Sequence, residues 1–268
     1  MNAVVFDVAL TAYIVAAAAA VGSLLGHRDA LGRFARLTTE LGWVCHTAAI
    51  VMRGIDLGRV PLLTLAEALS ALIWVVVLLE LWLSRRSGLG VLGAFVLPVV
   101  LVVGMLLPTG LRVLVLEPQG LSGLVVVHVT LVLIGLAALV INFGSALMYV
   151  LQERQLKSHR IGAFYYRLPS LETLDRLTLV TLTAGFPFLT VGLVLGAVSA
   201  GWAWGRLAAY DPLVLVSTLA WVVYAATLGG RALGHWRGRR AAYFAIAGFC
   251  ALLITLGIGI VFQGRHGL

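Results

Sequence analysis

Histidine is the residue type in this sequence best suited to chemistry, and three of its six copies lie in or beside apolar segments: His46, His128 and His266. A neutral imidazole can ligate a transition metal or carry a proton. The other three, which fall in arginine-rich loops and are expected to be solvated, are His27, His159 and His235. Cys45 and Cys250 form neither a CxxC nor a CxxCH motif, so a redox pair and a covalently attached haem are not predicted. A zinc or copper site would need further closely spaced ligands.

The segments around these histidines have the composition of membrane-spanning helices. The chain is 61% hydrophobic and 11% charged, whereas soluble domains are about one quarter charged. A spanning helix needs about 20 mostly apolar residues. Windows of that kind cover 3–25, 36–53, 62–83, 88–107, 122–151, 177–200, 212–230 and 241–262. The sequence therefore predicts an all-α polytopic membrane protein, a single domain over residues 1–268 with about eight transmembrane helices.

The positive charges predict how these helices are oriented. Of the 19 Lys and Arg residues, 14 lie in one alternating set of connections and 5 in the other. The richer side is expected to be cytoplasmic, which places both termini outside. We expect the protein to lie in the cytoplasmic (inner) membrane of a bacterium. The first apolar run has no basic start, so we expect it to remain as a helix and not to be cleaved as a signal peptide. Because the net charge of +8 follows from topology, nucleic-acid binding is not predicted.

The same helices set the depth of the histidines. His46 is seven residues before Arg53 at an outer helix end, and His128 is six residues after Ser122 at another. At a rise of about 1.5 Å per residue, both lie about 10 Å below the outer boundary. Ionisable groups in a bilayer often mark a functional path, and paired histidines commonly hold haem iron in helix bundles. The alternative is that each imidazole only hydrogen-bonds a neighbouring helix.

Two further features near the outer side have two interpretations each. Glu67 either orients a histidine through its ring N–H or stabilises the N-terminus of its own helix. The connection that contains Trp204, Tyr210 and Asp211 is either an interfacial aromatic belt or a surface for the flat face of a porphyrin.

Several short motifs follow one another in order from about residue 42 to the C-terminus. They are Cys45-His46-Thr47, the segment from Pro61 through Glu67 to Trp74, and the stretches AFVLP at 94–98, QERQLK at 152–157, LETL at 171–174, GFP at 185–187 and WRGRRA at 236–241. Together they resemble the cytochrome c assembly family of CcsA- and CcmC-type haem-handling membrane proteins, which includes HemX-like relatives.

The resemblance implies a tryptophan-rich outer loop that holds haem between two outward-facing histidines, here His128 and His266. Ala208 and Tyr210 stand where that loop has tryptophans, and Gly229 occupies the place of an intramembrane histidine that would pair with His46. The chain looks more like the HemX-like branch than like members that deliver haem to apocytochrome.

The sequence thus predicts a non-enzymatic membrane protein that binds haem b non-covalently near the outer face. The expected site residues are His128, His266, His46, Trp204, Tyr210, Asp211 and Glu67. The expected partners are membrane lipids and proteins of cytochrome c maturation or haem biosynthesis. One alternative is a regulator that engages a soluble partner through its cytoplasmic connection 152–176. Another is a small transporter that uses Glu67 and His46 along a polar path.

Overall fold

The structure, a computed structural model, describes residues 3–26, 28–86, 89–105, 122–158, 165–204, 212–234 and 236–262. These residues form eight α-helices and one 3-10 turn, so the predicted all-α membrane bundle is confirmed. The helices are α1 (Ala3–Gly26), α2 (Asp29–Leu57), α3 (Leu65–Ser84), α4 (Gly93–Met105), α5 (Ser122–Lys157), α6 (Leu171–Trp204), α7 (Pro212–Leu233) and α8 (Arg239–Phe262), with the turn at Tyr165–Arg167.

Within the described part of the chain, six of these helices are long and apolar enough to cross a membrane by themselves. The two that do not meet this criterion are α2 and α4. α2 is long enough, but its two ends carry Asp29, Arg33, Arg36, Glu40, Arg53 and Asp56, which leaves an apolar middle at 41–52. α4 is strongly apolar but has only 13 residues.

Local sequence signals explain where several helices begin and end. Ser170, followed by the acidic residue Glu172 two positions later, predicts the start of α6, and its Oγ accepts a hydrogen bond from the Thr173 N–H at 3.2 Å. α5 continues past the predicted span as far as Lys157. Pro98 and Pro187 lie inside α4 and α6 without ending either helix. Prolines are tolerated inside membrane helices where neighbouring groups can satisfy the freed backbone carbonyl.

The long helix α5 is at the centre of the bundle and contacts α3, α4, α6 and α8. Its closest neighbour is α6, because glycines let the two backbones approach. A Cβ atom on Gly135 would lie 2.8 Å from the backbone nitrogen of Leu189, and one on Gly185 would lie 3.0 Å from the Gly135 carbonyl oxygen. Small residues at helix interfaces allow this kind of contact in membranes. The α5–α6 seam fixes the side chains that α5 carries, including His128.

The connections give the bundle two chemically different ends. At one end α1, α3, α5 and α7 terminate and α2, α4, α6 and α8 begin; we call this the arginine-rich end. At the other, which we call the opposite end, α5 and α7 begin and α6 and α8 terminate.

Candidate functional site

His128 is held in one orientation by α6. It lies on α5 near the opposite end, and its Nδ1 is 2.6 Å from the carbonyl oxygen of Gly192. A carbonyl only accepts, so Nδ1 must carry the proton, which leaves Nε2 with a free lone pair in the neutral ring. The structure gives Nε2 no hydrogen-bond partner among the described residues. This is the tautomer that a histidine needs to ligate a metal through Nε2.

The position of the ring depends on a second glycine one helical turn further along α6. A Cβ atom on Gly196 would lie 2.6 Å from Cε1 of His128 and 3.0 Å from its Nδ1. Such distances are closer than carbon and nitrogen atoms can approach without a shift. The absence of a side chain at Gly196 therefore makes the space in which the imidazole lies.

An apolar cavity of about 230 Å³ adjoins His128 between α3, α4, α5 and α8. Leucines and valines dominate its wall, and Phe249 closes the side formed by α8. His128 is the single polar side chain among the described residues that line it. An apolar cavity with one imidazole is suited to an apolar ligand whose metal that imidazole can coordinate.

His46 has a different environment. It is fully buried, its Nε2 is 2.9 Å from Oγ of Ser70 and its Nδ1 is 3.3 Å from the hydroxyl of Tyr13. The edge of Phe6 packs against the ring with centroids 5.3 Å apart. Both nitrogens of His46 are thus engaged by hydroxyl groups of α1 and α3.

α3 separates the two histidines. Its residues that line the cavity beside His128 follow one face: Leu65, Ala68, Leu69 and Leu72. At about 100° per residue, Ser70, which binds His46, points to the opposite face of the helix. The two histidines therefore lie on opposite sides of α3. The structure does not bring them together as a pair.

Glu67 has the contacts expected of a residue that stabilises its own helix N-terminus. Its N–H donates to Oγ1 of Thr64 while its carboxylate accepts from the Thr64 N–H, which completes a capping box. The carboxylate also pairs with Arg53 at 3.3 Å and with Arg59 at 3.1 Å. Among the described residues it has no hydrogen bond to a histidine.

We expect Glu67→Ala to lower the free energy of unfolding by about 1–2 kcal/mol, because it removes the capping box. Glu67→Gln keeps an acceptor for the backbone and loses only ion pairs with two partly exposed arginines, so it should cost less than about 1 kcal/mol. Unfolding of the purified protein in detergent measures both values. An equal loss for the two variants would show that charge pairing, and not capping, dominates.

The remaining predicted site residues are described in part or not at all. Trp204 is the last residue of α6, and only its backbone is described. Tyr210, Asp211 and His266 lie outside the described residues. α8, which lines the cavity beside His128, runs toward His266 and is described to Phe262.

Sequence reasoning missed the partners of both histidines. Gly192 and Gly196 have the glycine-x3-glycine spacing that is typical of close helix packing, and this spacing could have located the α6 contact. Tyr13 and Ser70 carry no comparable signal, because single hydroxyl groups are common in membrane helices.

A family model described as Cytochrome C assembly protein matches residues 62–266. The chain belongs to this family. The match runs from just before α3 to beyond α8, so it includes Glu67, His128 and His266 and begins after His46. The family resemblance predicted from the motifs is thereby confirmed.

Curated relatives agree with this assignment over most of the chain. A protein from Guillardia theta named cytochrome c biogenesis protein CcsA is 32% identical over 245 residues, which cover 83% of this chain and 81% of the relative. CcsA from Synechococcus sp. (strain CC9902) is 31% identical over 86% of this chain and 85% of its own. CcsA from Prochlorococcus marinus (strain NATL2A) is 30% identical, with coverages of 87% and 84%. These names support the family; membership of the HemX-like branch stays a prediction.

Proposed function

We propose that this member of the cytochrome c assembly family binds haem b non-covalently at the opposite end of the bundle, as an accessory protein of cytochrome c maturation. His128, through Nε2, and His266 would hold the haem iron. The protein holds its cofactor without turnover chemistry, in the cytoplasmic membrane of a bacterium. The names of its relatives, which are cytochrome c biogenesis proteins, support a role in cytochrome c maturation.

The observation that carries the proposal is the hydrogen bond from His128 Nδ1 to the Gly192 carbonyl. Axial histidines commonly donate their second ring nitrogen to a carbonyl or carboxylate, which fixes the ring and raises the basicity of the ligating nitrogen. Haem iron offers two axial coordination positions, and a neutral imidazole is a common ligand for them. The donor chemistry of His128 therefore fits the group.

The cavity beside His128 supports the same assignment. Its volume of about 230 Å³ is below the range of roughly 300–1,000 Å³ typical of pockets that enclose a whole ligand. The cavity therefore has room for an apolar edge of the porphyrin, and the remainder would lie outside it. Trp204, Tyr210 and Asp211 are proposed to contact that exposed part. Aromatic rings can stack on a porphyrin there in place of the two missing tryptophans.

His46 is proposed to support the bundle and not to ligate iron. Its two ring nitrogens already bind Ser70 and Tyr13, and it contacts the opposite face of α3 from the cavity. Ligation would require one of these buried hydrogen bonds to break, which costs about 1–3 kcal/mol for the group left unsatisfied.

Haem titration of the purified protein tests the proposal. The wild type should give a Soret band that saturates with haem, whereas His128→Ala and His266→Ala should each lose most of it. His159→Ala, in an arginine-rich connection, is the matched histidine control and should leave the band unchanged. His46→Ala should lower the stability of the protein and leave the position of the Soret band nearly unchanged.

A folded wild type with no saturable Soret band would refute haem binding. A band that survives both His128→Ala and His266→Ala would refute the ligand assignment alone.

A second candidate function is regulation of a haem-biosynthesis enzyme through the arginine-rich end. The observation that favours it is the extension of α5 to Lys157, where Leu156 is exposed beside a pair between Lys157 and Glu153. Substitution of Leu156 and Lys157 should then change the level or activity of the partner enzyme without changing the Soret band. An unchanged partner would argue against this role.

A further inference from the structure

A second cavity, of about 420 Å³, lies at the arginine-rich end, away from His128. α1, α2, α3 and α4 form its walls, and the turn at Tyr165–Arg167 borders it. Its wall combines apolar side chains such as Leu24 and Leu97 with charged ones. It is thus a cleft of mixed polarity where the helices end, unlike the apolar cavity of the proposed haem site.

The bottom of this cleft contains a carboxylate that has no hydrogen-bond or ion-pair partner among the described residues. Glu80 is only 4% exposed and lines the cavity, and it has neither a hydrogen bond nor an ion pair with any described residue. Buried carboxylates are normally paired or hydrogen-bonded, because burial of an unpaired charge is costly. The Glu80 carboxylate is therefore free to accept a hydrogen bond from a donor, preferably a cation, that enters from the cleft.

The mouth of the cleft has the opposite charge. Arg33, Arg36 and Arg167 line it. Arg36 pairs with Glu40 at 3.3 Å and Arg167 with Asp29 at 2.7 Å. Arg33 is exposed and has no ion pair among the described residues. A guanidinium in this setting is a good ligand for phosphate.

Two glycines keep the space beside these groups open. A Cβ atom on Gly93 would lie 3.0 Å from Oε1 of Glu80, and one on Gly32 would lie 3.0 Å from Oγ of Ser23. Both glycines line the cavity. A side chain at Gly93 would occupy the space through which a donor must approach the Glu80 carboxylate.

We infer that this cleft binds a phosphoethanolamine group, with its phosphate at Arg33 and its primary ammonium at Glu80. The charges of the ligand are complementary to those of the cleft. The phosphate at the mouth faces Arg33, and the ammonium at the bottom faces Glu80. Glu80 is four residues from the end of α3, about 6 Å along the helix axis. The group can come from an ethanolamine phospholipid or from a soluble phosphoethanolamine compound.

Related headgroups satisfy only part of the site. Phosphocholine has the same two charges, but its quaternary ammonium has no N–H to donate to Glu80. A phosphoglycerol headgroup has hydroxyl donors for Glu80, but no positive charge to neutralise the buried carboxylate. The site should therefore prefer phosphoethanolamine to both.

Native mass spectrometry of the full chain in detergent tests the inference with lipids of matched acyl chains. The wild type should retain phosphatidylethanolamine at least about tenfold better than phosphatidylcholine or phosphatidylglycerol, as expected for a charge-assisted hydrogen bond. Glu80→Gln should abolish the preference over phosphatidylcholine. Arg33→Gln should weaken the binding of both phosphatidylethanolamine and phosphatidylcholine, because both lipids carry a phosphate. Gly93→Ala should reduce retention of phosphatidylethanolamine.

Glu153→Gln is the matched control, since this carboxylate also lies at the arginine-rich end but pairs with Lys157 and does not line the cleft. It should leave lipid preference unchanged.

Competition of free phosphoethanolamine against bound lipid in the wild type then identifies the source of the group, and this experiment does not depend on the folding of any variant. Displacement indicates a soluble ligand, and selective retention without displacement indicates the lipid. Equal retention of all three lipids together with no binding of free phosphoethanolamine, or a preference that survives in folded Glu80→Gln, would overturn the inference.

Discussion

Gly196→Ala is expected to lower the affinity for haem by about tenfold or more, although His128 itself is not substituted. The added methyl group would lie 2.6 Å from Cε1 of His128, so the ring must move away from α6 and from the Gly192 carbonyl. Loss of a partner that orients a metal-ligating histidine typically reduces metal affinity by about 10–100-fold. The Soret titration used for the histidine variants measures this change directly.

The control for this substitution is Gly123→Ala, which adds a methyl group to α5 where nothing described lies within 4 Å. It should change neither haem affinity nor stability appreciably. Gly196→Ala should also cost about 1–3 kcal/mol through overpacking of the α5–α6 seam. Thermal unfolding without haem separates this cost from the loss of affinity. A folded Gly196→Ala protein that binds haem like the wild type would show that the Gly192 hydrogen bond does not prepare His128 for ligation.

Asp175→Ala is expected to lower the free energy of unfolding by about 3 kcal/mol, because it leaves the guanidinium of Arg231 buried without its anion. The Asp175 carboxylate is 2.9 Å from Nη2 of Arg231, whose side chain is only 4% exposed. The same carboxylate accepts the N–H of Gly238 at 2.9 Å. One side chain therefore joins the start of α6, the end of α7 and the connection before α8.

Two comparison variants isolate the charge at this junction. Asp175→Asn keeps an acceptor for both N–H groups and should cost less than Asp175→Ala. Asp175→Ala combined with Arg231→Met should recover part of the loss, because the unpaired charge is gone. Asp29→Asn removes an ion pair whose carboxylate is largely exposed and should cost below about 1 kcal/mol. Equal losses for the Asp175 and Asp29 variants in detergent unfolding would contradict the assigned role of burial.

The Asp175 junction also depends on backbone shape. Gly238 has a φ of +62°, in the left-handed region that favours glycine, and a Cβ atom there would lie 2.5 Å from the hydroxyl of Tyr149. The sequence motif that contains Gly238 was noted only for its family resemblance. Its physical role could not be predicted, because it arises from the packing of α5 against the connection between α7 and α8.

The sequence by itself determined the membrane class, the eight helices and most of their ends, because hydropathy and capping are properties of neighbouring residues. The Ser170 cap is an example. Position along each helix also predicts that His46 and His128 lie at a similar depth. These features do not depend on which helices are neighbours, so no tertiary structure was needed for them.

Only the tertiary structure decided what the histidines face. Rotation of a helix about its axis and its choice of neighbours arise from contacts between distant segments, such as the glycine seam of α5 and α6. That packing gives His128 a carbonyl and an apolar cavity, whereas His46 receives two hydroxyl groups across α3. It also leaves Glu80 facing a cleft without a partner in the described chain. The same residue type therefore acquires different chemistry, because hydrogen-bond partners are set by packing and not by position in the sequence.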